Sequence, residues 1–260
     1  MADVYIIHEN LRVAMQFFGQ ATSTGSITQL PGGIAIYCGL NYGVFNIAML
    51  DGHHSAGVEE TRAQLNRLAD HFAERKVRWS FWFCEDMLPP SEWRDVRRTL
   101  VNLGMRSIAN PPGMSCADIA PATSRLPKID LRPVKDPVTR LAFAEMTSLC
   151  FEIPFNVAKS VYCQDRAWDG AYQGFVAYAN QRPVSMCALV ATDTASGIYS
   201  LATHPSYRRQ GYGEAMMRAA IKTWHTGGRP LVLQSTEAGY SLYRRMGFKD
   251  AGRFSVYLTK

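Results

Sequence analysis

No stretch of the 260 residues approaches the run of about 20 apolar residues that a membrane-spanning helix needs, so a membrane is not an expected partner. The start of the chain, Met1-Ala2-Asp3-Val4, lacks the basic and apolar segments of a secretory leader. The six cysteines, Cys38, Cys84, Cys116, Cys150, Cys163 and Cys187, include no Cys-x-x-Cys pair. Their scatter argues against zinc and against a disulfide framework, and it suits reduced thiols in the cytoplasm. The basic residues form no long cluster and no nucleic-acid motif stands out, which sets nucleic acid aside. Two phosphate fingerprints are missing as well. No Gly-Lys-Ser/Thr follows the glycines near residue 211, as a nucleoside-triphosphate loop requires. Gly211-Tyr212-Gly213 runs on into Glu214-Ala215-Met216 without the third glycine of the dinucleotide fingerprint.

What is present around those glycines is the most informative stretch of the chain: Tyr207-Arg208-Arg209-Gln210-Gly211-Tyr212-Gly213-Glu214. A strand-like run, Ile198 to Leu201, precedes it, and an amphipathic helical run, Ala215 to Trp224, follows. Strand, tight turn and helix make an anion cradle. The first amides of a helix have no intrahelical acceptor, and the helix dipole adds partial positive charge there. Glycine lets a phosphate approach the backbone without meeting a Cβ. Arg208 and Arg209 can add charge-assisted hydrogen bonds. The pattern therefore points to a phosphate-bearing cofactor. The net charge of +6 is placed to match. Residues 126–260 carry 17 Lys and Arg against 10 Asp and Glu, whereas residues 1–125 carry 11 against 12. The basic half is the half with the cradle, as a polyanionic ligand would favour.

Arg208-x-x-Gly211-x-Gly213, preceded by His204-Pro205-Ser206-Tyr207, resembles the pyrophosphate-binding motif Arg/Gln-x-x-Gly-x-Gly/Ala of the GNAT superfamily of N-acetyltransferases. A second match lies downstream. The apolar run Leu231-Val232-Leu233 leads into Ser235-Thr236, a helix N-cap signal, and the following helical run ends at Gly247, a C′ glycine. In the family this helix carries Leu-Tyr-x-x-x-Gly-Phe, matched here by Leu242, Tyr243, Gly247 and Phe248. The resemblance covers roughly residues 126–260. It implies an α/β (α+β) domain, a mixed twisted sheet flanked by helices. It also implies transfer of an acetyl group from acetyl-CoA to the primary amine of a small molecule by direct attack, without a metal. Two alternatives stay open: a non-catalytic acyl-CoA-binding protein, and an enzyme that acetylates protein amines. Oligomeric state is not legible.

The resemblance also assigns residues. Arg208, Arg209, Gln210, Gly211, the backbone of Tyr212 and Gly213 are expected to hold the pyrophosphate. The strand before the loop is expected to part from its neighbour, so that the backbone of Leu201 and Thr203 pairs with the pantetheine arm as with an added strand. A main-chain N–H there could stabilise the developing oxyanion. Tyr243 is the expected general acid for the leaving thiolate, because a phenol with an ordinary pKa of about 10 is protonated at neutral pH. No base is assigned. Many members carry a glutamate on the strand before the loop, where this chain has Ile198-Tyr199-Ser200-Leu201. Glu237 reads as a helix N-terminal charge and His204 as a loop residue, leaving a water chain through Ser200 or Ser235. The family builds its amine site from the first two helices and their connection, here about Cys150 to Trp168. Phe151, Phe155, Tyr162 and Trp168, with Glu152, Asp165 and Asp169, would suit a cationic acceptor. They divide equally well into core aromatics and solvent-facing acids.

Asp118 to Pro127, with Pro121 and Pro127, reads as a linker, which divides the chain into domains of residues 1–125 and 126–260. The second half continues with a strand from Ile129, a helix started by Asp136-Pro137, strands near Phe175–Tyr178 and Val184–Ala191, and a last strand from Arg253 to Leu258. The first half gives a faint echo. Gly43 to Leu50 parallels the strand before the cradle, Glu59 to Arg75 the next helix, and Arg78 to Phe83 the next strand. A helix from Pro90 then ends at Gly104, which places Leu100 opposite Tyr243 and Met105 opposite Phe248. The loop Gly52-His53-His54-Ser55-Ala56-Gly57 lacks the arginines. The first half thus reads as a degenerate GNAT-like domain without a cofactor loop, or as an unrelated α/β domain.

Overall fold

Two rounds of elements follow one another in nearly the same order. The first is helix α1 (Ala2–Gln20), strands β1 (Ser26–Leu30), β2 (Gly33–Tyr37) and β3 (Ile47–Leu50), helix α2 (Val58–Glu74), strand β4 (Ser80–Cys84), helix α3 (Pro90–Asn102), and strands β5 (Met105–Ala109) and β6 (Pro112–Cys116). The second is β7 (Asp130–Pro133), α4 (Pro137–Phe151), α5 (Phe155–Tyr162), β8 (Tyr172–Ala179), β9 (Arg182–Ala191), β10 (Ser196–Thr203), α6 (Tyr212–Trp224), β11 (Leu231–Gln234), α7 (Glu237–Arg245) and β12 (Lys249–Thr259). The computed structural model describes residues 2–52, 57–224 and 228–260, so His53 to Ala56 of the first-half loop lie outside it.

Local chemistry explains the boundaries. Asp136 accepts from Thr139 N at 2.9 Å while Thr139 Oγ1 accepts from Asp136 N at 3.2 Å, a reciprocal cap at the start of α4. Thr236 Oγ1 accepts from Gly239 N at 3.3 Å and starts α7. The chain leaves α3 and α7 through left-handed glycines, Gly104 with φ 75° and Gly247 with φ 97°. Leu100 and Tyr243, one turn earlier, are both buried, as are Met105 and Phe248 just beyond.

All the strands join one sheet in the order β1-β2-β3-β4-β12-β6-β11-β10-β9-β8-β7, with β5 paired to β12. The order is close to symmetric about the line between β12 and β6, with β1 to β4 answering β8 to β11. Parallel pairing occurs in corresponding places, between β3 and β4 and between β10 and β11. The two rounds exchange their last strands. β6 lies antiparallel beside β11, with Leu231 opposite Cys116, whereas β12 crosses to β4, with Phe254 opposite Cys84. The same β12 pairs with β6 through Lys249 to Arg253, so the two exchanged strands hold each other. The linear division expected from the linker does not show this crossing, because strand order in a sheet is set by long-range pairing.

Alternate residues of a strand face opposite sides. On β9, Met186, Ala188 and Val190 join a core with α1, α4 and α5, whereas Cys187 and Leu189 join one with α6 and α7. α1 crosses between the halves on the first of these faces. Its Ile7 and Leu11 pack on Ile34, Met49 and Phe254, and its Phe17 lies in the core of the second half. All six cysteines are unpaired. Among the described residues, no helix is long and apolar enough to cross a membrane.

Candidate functional site

β10 and β11 pair only at Ser196–Leu231 and Gly197–Val232. Beyond these two positions the parallel ladder stops and the strands diverge into a V. On its other side β10 stays paired to β9, through a bulge between Tyr199 and Ala202 where Ser200 takes a φ of 49°. The divergence leaves Tyr199 to Thr203 partly exposed, whereas Ser196 to Ile198 are buried. Ser200 Oγ meets Tyr172 Oη at 2.7 Å, and Tyr199 Oη donates to Asn10 Oδ1 at 2.6 Å. Leu201 and Thr203 lie beyond the last position of β10 paired with β11.

At the wide end of the V the chain makes a short 3₁₀ turn, Pro205–Tyr207, and then the loop that starts α6. Arg209 and Gly211 are left-handed, with φ 63° and 85°. The first helical bond there, from Ala215 N to Gly211 O, is 2.9 Å long, so the amides of Tyr212, Gly213 and Glu214 come before the ladder and face the loop. Arg209, Gln210 and Gly211 are exposed. Arg208 is exposed too, but its Nε donates to Thr203 O at 3.1 Å, which ties the loop to the end of β10. Gln210 Nε2 donates to Ser206 O at 3.0 Å. Gly213 lies close under β10, where a Cβ would be 3.1 Å from Thr203 Oγ1. A Cβ on Gly211 would meet Pro127 Cδ at 3.1 Å, so the glycine is required first by its positive φ and by the linker.

Tyr243 is 7 % exposed, on the α6 side of the sheet, its ring 5.9 Å from that of Phe248. Burial pushes its phenol pKa well up, with the Cys187 thiol a second, smaller cause. It is a neutral hydroxyl throughout the physiological range.

Residues 170–250, which span the V, the loop, α6 and α7, match the family model of the acetyltransferase (GNAT) domain. This stretch of the chain is similar to the GNAT acetyltransferase domain. The fold of the chain is similar over almost the whole length to a GCN5-related N-acetyltransferase from Kribbella flavida, with a TM-score of 0.69, 17% identity, and coverage of 96% of this chain and 95% of that one. A GCN5-related N-acetyltransferase from Sphaerobacter thermophilus gives a TM-score of 0.57 at 16% identity, covering 88% of this chain and 76% of that one. A GCN5-related N-acetyltransferase-like protein from Streptococcus suis gives 0.54 at 15% identity, covering 96% and 98%. No curated protein sequence matches the chain.

Within this framework several side chains named from the sequence are already engaged. Ser235 is fully buried, its Oγ donating to Thr236 O at 2.8 Å. Ser200 stays half exposed beside Tyr172. His204 Nδ1 accepts from Ser206 N at 3.2 Å, and the ring lines a cavity of about 360 Å³ with Glu145, Leu149, Arg182 and Tyr207. Glu237 is exposed at the start of α7. The aromatic residues proposed for a cationic acceptor divide. Tyr162 is core and Trp168 packs half-buried against that core, with Phe17 of α1 at 5.4 Å and 5.1 Å from their rings, whereas Phe151 and Phe155 are exposed. Asp165 pairs with the buried Arg140 at 2.6 Å. A cation cage at Tyr162 and Trp168 is therefore filled from the first half of the chain.

Asn10 went unnoticed in the sequence. Its Nδ2 donates to Val190 O at 3.1 Å and Ala195 O at 3.3 Å while its Oδ1 holds Tyr199, so α1 fixes β10 where the V opens. Gly197 has no room for a Cβ because Asn10 and Tyr199 occupy that space. The signal was a lone amide on the helical face shared by Ile7, Ala14 and Phe17.

Proposed function

We propose that the protein is an acetyl-CoA-dependent N-acetyltransferase that moves the acetyl group to the primary amine of a small molecule by direct attack. The observation that carries this reading is the parting of β10 from β11 next to the first turn of α6, with a left-handed Gly211 at the turn. A parted strand edge offers main-chain groups to an extended pantetheine arm, and the helix start offers amides to a diphosphate. Acetyl-CoA would supply an activated acyl carbon at the narrow part of the V. Leu201 and Thr203 would bind the arm through their backbone. Arg208, Arg209, Gln210, Gly211, Tyr212 and Gly213 would hold the diphosphate. A main-chain N–H after the bulge would donate to the thioester oxygen as charge grows there. Tyr243, kept neutral by burial, would donate its proton to the departing sulfur. No metal takes part in this scheme. Residues 126–260 would form the acetyltransferase domain, and residues 1–125 a degenerate GNAT-like domain that lends α1 and β6 to it. A cytoplasmic setting suits the six unpaired cysteines.

Calorimetry with acetyl-CoA and thiol release across a panel of small amines test the reading. One acetyl-CoA bound per chain and amine-dependent thiol release are expected. Absence of acetyl-CoA binding would end it. The lack of a carboxylate on β10 favours one rival, a non-catalytic acyl-CoA-binding protein, which binding without turnover on any amine would support.

A further inference from the structure

The segment that joins the two rounds of elements is held at both ends. Ala120 N donates to Met246 O at 2.9 Å, at the end of α7. Ile119 and Ile129 pack against the core under α6 and α7. Between these anchors the segment passes against the phosphate loop, where the missing Cβ of Gly211 would face Pro127 Cδ at 3.1 Å and Leu126 Cδ2 at 3.5 Å. Leu126 and Pro127 are flanked by Arg125 and Lys128, both exposed. Neither of these cations, nor Arg209 in the loop, has an ion-pair or hydrogen-bond partner among the described residues. The neighbouring acid Asp130 is taken by Arg132, with Arg132 Nε donating at 2.8 Å. Arg125 and Lys128 thus directly flank in the chain the two residues that lie against Gly211, next to the start of α6. Such an arrangement raises the local potential for an anion larger than one phosphate.

We propose that Arg125 and Lys128 form a second phosphate subsite, next to the loop, that takes the ribose 3′-phosphate of coenzyme A. The inference rests on the coenzyme A reading above. In that reading the loop from Arg208 to Gly213 is taken up by the diphosphate. The 3′-phosphate is a separate monoester, close to a dianion at neutral pH, and it has no partner in the loop motif itself. Arg125 offers it a planar fork of donors and Lys128 a compact charge. Leu126 and Pro127 carry no charge and supply the contact that keeps the two cations beside the loop.

The test uses the full chain and measures binding of coenzyme A and of 3′-dephospho-coenzyme A by calorimetry. Wild type should prefer coenzyme A by about tenfold, the scale of two partly exposed ion pairs to one dianion. The double variant Arg125→Gln/Lys128→Gln should bind the two ligands within about twofold, with its affinity for the dephospho form equal to that of wild type. A control, Arg94→Gln/Arg97→Gln on the exposed side of α3, should keep the wild-type preference. A variant that keeps the preference, a wild type that has none, or an equal loss for both ligands would each overturn the subsite while leaving the coenzyme A reading in place. Binding of neither ligand by wild type would instead remove that reading, and the subsite with it.

Discussion

β3 and β10 part from their parallel neighbours after the same two paired positions, yet the two openings are different objects. In the second half the parted strand runs on from Tyr199 to Thr203 with a bulge and partial exposure. In the first half the four residues of β3 are all buried. Phe83, Leu88 and Trp93 belong to one core cluster of this half, and Met49, Cys84 and Leu11 to another. The carbonyl of Leu50, on the edge that would pair with a ligand, accepts from His8 Nε2 at 2.9 Å. The same topology therefore serves as a wall in one place and a cleft in the other. What distinguishes them is the burial of the strand and the polar partner at its edge. The turn after β3 has no arginine–glycine motif, and Leu100 stands where Tyr243 does.

The comparison is broken most completely by removing the strand that both halves share. Deleting residues 249–260 takes away β12, which buries Phe254, Val256, Tyr257 and Leu258. At about 1.5–3 kcal/mol for each large side chain, the loss is on the scale of the whole stability of a domain, about 5–15 kcal/mol. The truncated chain should lose cooperative unfolding in both halves, read by circular dichroism and hydrogen exchange. A first half that keeps native protection without β12 would show that the exchange is not what joins them.

The next effect sharpens the difference between wall and cleft. Gly211→Val forces a branched residue into φ 85° and against Pro127. Acetyl-CoA affinity should fall by about a hundredfold, a loss of two or three loop hydrogen bonds to phosphate, while the thermal unfolding of the rest is little changed. Unchanged affinity in a folded variant would mean that the loop is not the cradle. Tyr243→Phe comes third. It keeps the packed ring and removes the hydroxyl, so turnover should drop by about ten- to a hundredfold with the Michaelis constant for acetyl-CoA held. Full turnover would reduce Tyr243 to the packing role that Leu100 has in the other half.

The smallest expected effect concerns the junction. Asp86, just after β4, accepts from Arg253 N at 2.8 Å and Arg253 Nε at 2.9 Å. The Arg253 side-chain hydrogen bond holds the Asp86 carboxyl below its usual pKa. A lowered folded pKa contributes stability above the unfolded value, near 4, and that contribution is lost as pH falls below it. The pair is partly exposed, so Asp86→Asn should cost about 0.5 kcal/mol at neutral pH and flatten the acid side of the stability profile. A cost that persists unchanged at pH 3 would rule out the charge as its source.

Local pattern was enough for much of the second half. The N-cap at Asp136, the C′ glycine at Gly247, the loop from Arg208 to Gly213 and the helix that bears Tyr243 all depend on residues within a few positions of one another. The echo in the first half was legible for the same reason, through Gly104, Leu100 and Met105. The seating of Phe17 between Tyr162 and Trp168 was not legible, nor was the hold of Asn10 on β10, because both join residues more than 140 positions apart.

The amino-acid sequence by itself determined where α4 and α7 begin, where α3 and α7 end, and which half carries the loop from Arg208 to Gly213. These follow from backbone preferences and capping hydrogen bonds that act over one or two turns. Only the tertiary structure decided that β6 and β12 change places, that β10 runs on partly exposed beyond its pairing with β11, and that the linker lies against Gly211. Strand order and cavity filling depend on which distant side chains arrive to cover an apolar face, and a linear pattern records the face without recording its partner.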